Sequence, residues 1–248
     1  MKVELVKRLA GHPLIARLLR FMTIDASDLE CLARIIESDH LVKKRQDLII
    51  FGHEYRHLCF VREGYAIRYR LLRNGKRQVL NVVLPGDVIG FPVSFLDRSN
   101  YSVVAVSDLE YNFCRLETYV DLCYQRPQFG LALSWLAMRE TATYAEHLVG
   151  LGRRTPVERL AHFLLEIHAR LLEVKRADAR GFDLPFSQEI MSDVLGLSVP
   201  HLNRMIQQLR AEKLITSRAR YIELTNFSGL QTLAQYQPLD LAPIPPPP

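Results

Sequence analysis

Only four cysteines occur in the 248 residues (Cys31, Cys59, Cys114 and Cys123), and no two of them form a C-x-x-C pair. That scatter argues against a zinc ribbon or a clustered iron–sulfur motif. It leaves four separate thiols, usually buried, as expected in a reducing compartment, with redox sensing by one of them as the alternative. Long hydrophobic runs are also missing. The longest, Phe129 to Met138, is interrupted by Ser134 and is far too short to span a bilayer. The start, Met1-Lys-Val-Glu-Leu-Val-Lys7, is charged throughout and lacks the apolar core of a signal peptide, so a cytoplasmic location is expected. There is no Gly-x-Ser-x-Gly elbow, Walker A loop or Gly-x-Gly-x-x-Gly turn, and hence no signature of a nucleophile or phosphate cradle.

One metal-like pattern does occur, His53-Glu-Tyr-Arg-His57, which matches H-E-x-x-H. Zinc-protease chemistry needs both histidines on one face of a helix, with the glutamate as base. Here the segment lies between Ile49-Ile-Phe-Gly52 and Leu58-Cys-Phe-Val61, where the sequence reads as a turn between strands. A coincidental match is expected, with no catalytic residue, metal or cofactor. A zinc-dependent hydrolase at His53 and His57 is the remote alternative. The other histidines (His12, His40, His147, His162, His168 and His201) lack ligand spacing, and most should be surface or partly buried hydrogen-bonding groups.

What is present is a soluble composition with a basic balance. Hydrophobic residues make up 48% and charged residues 24%, with a formal net charge of +5. The pI near 9.1 suits a nucleic-acid partner without requiring one. Residues 1–38 read as helices, with apolar spacing of three and four over His12–Met22 and Ser27–Ile36, the second capped by Asp25 or Ser27. From 39 to 116 short runs rich in Val, Ile, Phe and Tyr alternate with Gly-bearing turns, predicting a small antiparallel roll. Within it, Arg73-Asn-Gly-Lys76 is a strong hairpin signal, because Asn-Gly favours the positive φ of a tight turn.

Residues 117–152 are helical again. Leu116–Tyr124 forms one helix and Pro127 opens a longer one, in which Leu131, Trp135, Met138, Ala142, Ala145, Val149 and Gly152 recur at alternating steps of four and three. That heptad stripe predicts pairing with a second copy, with Leu133, Leu136, Tyr144 and Leu148 on a separate face for the roll. The bland alternative is that the stripe itself packs on the roll. Arg153-Arg-Thr-Pro156 marks the boundary to the last domain, 153–228, where Thr155 caps a helix begun by Pro156. Residues 229–248 are expected to be a loose, proline-rich tail.

Phe186 to Arg210 is the most informative stretch. It predicts two short helices broken at Gly196, a residue able to take the left-handed conformation that ends a helix. Met191, Val194 and Leu195 turn inward, and Ser192 is small enough for close crossing. Ser198 caps the second helix through its hydroxyl and Pro200 sits harmlessly in its first turn. Leu202, Met205, Ile206 and Leu209 make its buried stripe, leaving Val199, Pro200, Asn203, Arg204 and Gln207 on the other face. After it, Lys213 to Thr225 reads as two β-like runs around a basic turn, and Gly196–Arg220 holds five Lys/Arg against one acid. Such a local excess attracts phosphate.

A β-roll, a long dimer helix and a C-terminal winged helix-turn-helix, an α+β architecture, together resemble the bacterial cyclic-AMP receptor/FNR (Crp/Fnr) family of transcription regulators. The resemblance covers almost the whole chain and is carried by Leu84-Pro-Gly-Asp-Val-Ile-Gly90, Leu151-Gly-Arg-Arg-Thr-Pro-Val-Glu-Arg-Leu160 and Leu195-Gly-Leu-Ser-Val-Pro-His-Leu-Asn-Arg204. It implies a cyclic-nucleotide-binding-like roll, and a homodimer with two recognition helices in successive major grooves of an imperfect palindrome, with RNA polymerase as a possible further partner. It places Arg204 at the base-reading position, bidentate to guanine. Asn203 is placed to read adenine and Val199 to touch a thymine methyl, with Ser198 and His201 on phosphates. Gln188, Gln207, Arg218 and Arg220 join the candidate DNA contacts. Pro200 replaces a cytosine-reading Glu, which alters the expected half-site. Glu189 near a phosphate, and Lys213 where a helix-ending Gly is usual, fit less well.

The departures concern the signal. Cyclic-AMP-binding members place a Glu after Gly-Asp-x-Ile-Gly and an Arg-Ser pair further on. Here those positions hold Phe91, Tyr101 and Ser102, a degenerate pocket in which only Arg98 offers itself as a substitute cation. A buried phosphate would lack a charge-assisted bond worth about 1.5–3 kcal/mol, so control by cyclic AMP is not expected. FNR-type sensing needs an N-terminal cysteine cluster that Cys31 alone does not supply. The alternative input is an unidentified small ligand or haem held in the roll.

Overall fold

The computed structural model describes residue 9, residues 11–36 and residues 38–239. The predicted Ile244–Pro248 proline run lies outside them. The chain divides into two compact units, one of residues up to 68 with 82–141, the other of residues 69–81 with 142–239.

The first unit starts with α1 (Pro13–Leu18), whose N-cap is His12, and α2 (Ala26–Ile35). Of the two predicted caps for α2, Asp25 is the one used: its carboxylate accepts from the Asp28 amide at 2.7 Å while Asp28 accepts from the Asp25 amide at 3.2 Å. Eight strands follow: β1 (His40–Val42), β2 (Asp47–Ile49), β3 (His57–Glu63), β4 (Ala66–Leu71), β5 (Arg77–Val83), β6 (Val88–Ile89), β7 (Ser102–Ala105) and β8 (Leu109–Arg115). They form two four-stranded sheets, β1-β8-β3-β6 and β2-β7-β4-β5. The predicted Asn-Gly turn joins β4 to β5, with Gly75 at φ +78° and the Gly75 amide bonded to the Leu72 carbonyl. Strands β1 and β6 were not anticipated, being two or three residues long and too short to show alternation.

Helix α3 (Leu116–Gln125) leads to the 27-residue α4 (Pro127–Arg153). The predicted stripe on α4 needs correcting. Trp135 is only 6% exposed and stacks on Phe21, ring centroids 3.8 Å apart, inside a core shared with Leu14, Leu32, Phe60 and Phe129. Among the exposed residues of α4 are instead Leu131, Ser134, Met138, Thr141, Ala145, Leu148 and Gly152. They repeat at alternating steps of three and four. Leu148, assigned to the roll-facing side, is 70% exposed, while Leu133 is buried as expected. Val149 is also exposed and Ala142 half-buried.

The second unit builds on α5 (Pro156–Glu173), opened by Thr155, whose amide donates to the Glu158 carboxylate at 2.7 Å. Leu160, Leu164, Ile167 and Leu171 are buried along one face. Then come β9 (Gly181–Asp183), α6 (Gln188–Leu195), α7 (Val199–Ala211), β10 (Thr216–Arg218), β11 (Tyr221–Glu223) and α8 (Phe227–Ala234). The last corrects the expected tail: residues 229–234 are helical, with Asn226 capping the Gly229 amide at 2.9 Å and Leu230 and Ala234 buried. Three histidines expected nearer the surface are buried and bonded. His12 Nε2 lies 3.2 Å from Asn112 Oδ1, His168 Nε2 lies 2.7 Å from the Asp178 carbonyl oxygen, and His162 is described below.

Candidate nucleic-acid interface

Helices α6 and α7 meet through Met191, Val194, Leu195, Leu202 and Leu209, all buried, with Met205 and Ile206 half-buried. Gly196 between them adopts φ +64°, ψ +37°, the left-handed cap the sequence called for. Ser187 caps α6 by accepting from the Ile190 amide at 3.3 Å. Ser198 holds the N-cap position of α7, but its hydroxyl makes no capping bond, contrary to expectation; its carbonyl accepts the Leu202 amide instead. The Ser198 side chain is therefore free to point outward. Ser192 is buried, its hydroxyl donating to the Glu189 carbonyl at 2.8 Å, so the small residue at the crossing carries its own satisfied hydrogen bond.

On the outer face of α7, Pro200, Arg204 and Gln207 are exposed, and Val199, His201 and Asn203 are half-buried. Gln188 at the start of α6 is exposed. The wing is a three-stranded antiparallel sheet, β10-β11-β9, not the two runs anticipated. Gly181 admits the extra strand: a Cβ there would lie 2.0 Å from the Ile222 carbonyl oxygen, so no larger residue fits without displacing β11. Arg218 and Arg220 are exposed at the β10–β11 turn, where Ala219 takes φ +52°. Lys213, the residue found where a glycine is usual, does take the conformation a glycine would, at φ +56°. Glu189 is exposed with its carboxylate 3.9 Å from Arg77 Nη2, which moderates its negative charge. The acidic partner the sequence did not reveal is Asp193: its Oδ2 accepts from Arg77 Nε at 2.8 Å and from Nη2 at 2.5 Å.

In the roll, the degenerate pocket residues are filled or bonded. Phe91 packs edge-on against Phe95, centroids 5.7 Å apart, Tyr101 is buried, and the Ser102 hydroxyl accepts from the Phe51 amide at 3.0 Å. The nearby buried cation is Arg68, not the exposed Arg98. Its guanidinium carbon lies 5.9 Å from the Tyr101 ring centroid, and it pairs with Glu140 and donates to the Val88 carbonyl at 2.6 Å. The H-E-x-x-H segment is not helical: His53 to Arg56 are loop and His57 begins β3. Among the described residues no group of three or more His, Cys, Asp or Glu is arranged to hold a metal. All four cysteines are free thiols, Cys59 and Cys114 buried and Cys31 and Cys123 half-buried.

Residues 40–125 match the family described as Cyclic nucleotide-binding domain, and residues 158–233 match the Crp-like helix-turn-helix domain. The nitrogen fixation regulation protein FixK of Bradyrhizobium diazoefficiens is 32% identical over 174 residues, covering 70% of this chain and 72% of that protein. The chain belongs to the Crp/Fnr family. A second relative, the fumarate and nitrate reduction regulatory protein of Vibrio cholerae, is 26% identical over 212 residues, 86% of this chain and 84% of the relative. Among solved structures, FixK2 from Bradyrhizobium japonicum superposes with a TM-score of 0.72 at 27% identity, covering 79% of this chain and 96% of that one. This Crp/Fnr chain is a DNA-binding transcription regulator with a cyclic-nucleotide-binding-like roll and a C-terminal helix-turn-helix. No helix among its described residues is long and apolar enough to cross a membrane.

Proposed function

We propose that this regulator works as a homodimer that reads an imperfect palindrome through Arg204 and its neighbours on α7, without control by cyclic AMP. The observation that carries the reading is the division of α7 into a buried Leu202/Leu209 face and an exposed face with Arg204 near the N-terminal end. An exposed arginine there reaches guanine O6 and N7 in a major groove. Asn203 and Val199 supply adjacent base contacts, and Ser198, His201, Gln188, Gln207, Arg218 and Arg220 supply phosphate and flanking contacts. RNA polymerase is the partner to which a bound dimer passes its output, and no catalytic step is involved.

The dimer reading rests on the exposed α4 stripe. Ser134 and Thr141 donate their hydroxyls to the Gly130 and Ala137 carbonyls of their own helix, each at 2.9 Å, so both can face an apolar partner without an unpaired donor. Independence from cyclic AMP rests on Phe91 and Tyr101 standing where a carboxylate and a guanidinium are needed, with Arg68 already committed to Glu140. Selection from random duplex DNA tests the whole proposal. An enriched two-fold-symmetric site, bound equally with and without cyclic AMP, is expected; no enriched palindrome refutes it.

A further inference from the structure

Behind the helix-turn-helix, the second unit contains a pocket of about 310 Å³, counting the mouth that opens to solvent, between the end of α4, α5 and the last turn of α6. Its apolar walls come from Leu151, Phe163, Val194 and Leu195, and its charges from Glu146, Arg154 and Arg159, beside two histidines, His147 and His162. Most of these polar groups are spoken for. Arg154 Nη2 donates to Glu146 Oε2 at 2.6 Å and its Nη1 to the Glu146 carbonyl at 3.1 Å. His162 Nε2 lies 3.3 Å from the same carboxylate oxygen, and His147 Nε2 is bonded to Glu166 at 2.7 Å.

Arg159 is left over. Its Nε is shielded from solvent and has no hydrogen-bond partner, and its side chain forms no ion pair among the described residues. Burial lowers its pKa from the usual arginine value, and nothing opposes the shift. The shielded Nε–H is desolvated without a compensating hydrogen bond unless an anion supplies one, while the rest of the half-buried guanidinium stays open to the pocket mouth. Two glycines make the room. A Cβ on Gly150 would lie 3.4 Å from Arg159 Cγ, and one on Gly196 would lie 3.1 Å from Leu151 Cδ2 and 3.8 Å from Arg159 Nη1. Arg154 with Glu146, and His147 with Glu166, each cancel, while burial and the neighbouring Arg154 hold His162 toward its neutral form. The pocket therefore retains one uncancelled positive charge.

We propose that this pocket binds a small free oxyanion of the phosphate or carboxylate class on the guanidinium of Arg159. Its enclosed interior is only about 30 Å³, which fits a single small anion seated at the mouth and not a nucleotide. The inference does not depend on which DNA sequence α7 reads.

The test titrates inorganic phosphate, and separately acetate, into the full chain against chloride at matched ionic strength, following thermal unfolding and the ³¹P signal. A saturable rise in melting temperature with phosphate or acetate beyond the chloride control is expected, as for any ligand that binds only the native state. Arg159→Gln should weaken binding at least tenfold, and Arg159→Lys should retain it in weaker form. Without oxyanions, Arg159→Gln should melt no lower than wild type, since it removes an unpaired charge. Should that variant fail to fold, the wild-type titration and Arg159→Lys decide the matter. No response beyond chloride, equal binding by Arg159→Gln, or stoichiometric displacement of phosphate by duplex DNA each overturns the proposal, the last by making Arg159 a DNA-backbone contact.

Discussion

Arg77, beyond the β4–β5 turn, grips one carboxylate oxygen of Asp193 on α6 with two nitrogens, Nε at 2.8 Å and Nη2 at 2.5 Å. The neighbouring Gln78 amide donates to the Asp193 carbonyl at 3.1 Å, so the hairpin tip is fastened to the first helix of the DNA-reading motif within one compact unit. Both charged side chains are about a quarter exposed, 28% and 25%, so solvent screens part of their attraction. A double-mutant cycle of Arg77→Ala and Asp193→Ala in urea unfolding should return a coupling of about 1 kcal/mol, falling in high salt. Zero coupling at low salt would show that the contact contributes nothing to stability.

Arg204 is exposed on α7 while Leu202 and Leu209 behind it are fully buried, so its removal alters the reading face and not the fold. Arg204→Ala should lose about 1–3 kcal/mol of discrimination at one base pair per half-site. Its thermal unfolding and its state of association should match wild type. Binding to a panel of single-base operator variants measures this; a uniform loss across all variants would instead make Arg204 a phosphate contact.

The α4 stripe separates two roles that a heptad alone leaves merged. Trp135 is clamped on Phe21 inside its own chain, whereas Met138 and Leu148 are 57% and 70% exposed. Trp135→Ala should cost roughly 3–5 kcal/mol of stability through the cavity it leaves. Met138→Glu and Leu148→Glu should leave the fold intact and shift sedimentation toward monomer, because a charge on an apolar seam is unpaired once buried. If the glutamate variants sediment as wild type, the stripe is not the dimer surface.

These cases show what the sequence makes legible. The helix-turn-helix is written locally: Gly196 for the left-handed turn, Pro200 in a first turn, Leu202 and Leu209 seven apart. Each choice is made by neighbours within a few positions. The phase of α4 is different, because Leu131, Met138 and Ala145 belong equally to a stripe through Trp135 and one through Ser134. The tie is broken by Phe21, more than a hundred positions away, which no periodicity within α4 can reveal. The same holds for Arg77 with Asp193, 116 positions apart. Strand β9 escaped notice because Gly181-Phe-Asp183 gains its partner only when β11 arrives.

His147 and Glu166 give the chain a pH dependence whose direction follows from geometry. The imidazole faces an acceptor on each side, Glu166 Oε2 2.7 Å from Nε2 and the Leu80 carbonyl oxygen 3.4 Å from Nδ1, an arrangement satisfied only by the doubly protonated ring. Burial alone would lower its pKa, but the Glu166 charge and these hydrogen bonds outweigh it and raise the pKa above the usual histidine value. For Glu166, burial pulls upward and is outweighed by His147 and by Arg170, whose Nη1 donates at 2.8 Å, so its pKa falls to about 2. A raised histidine pKa contributes stability in full below the unfolded value of about 6.5, a contribution lost as pH climbs through the folded value. A lowered glutamate pKa contributes above about 4.5 and is lost as acid approaches the folded value. The two windows overlap between roughly pH 4.5 and 6.5. His162, lowered by burial and by Arg154, works the other way and loses stability on acidification below its unfolded pKa. The clean readout is therefore a difference: wild type minus His147→Gln, by urea unfolding, should be largest near about pH 5.5 and shrink toward about pH 8. A difference that grows with rising pH would mean that His147 is neutral in the fold and that Glu166 is held by Arg170 alone.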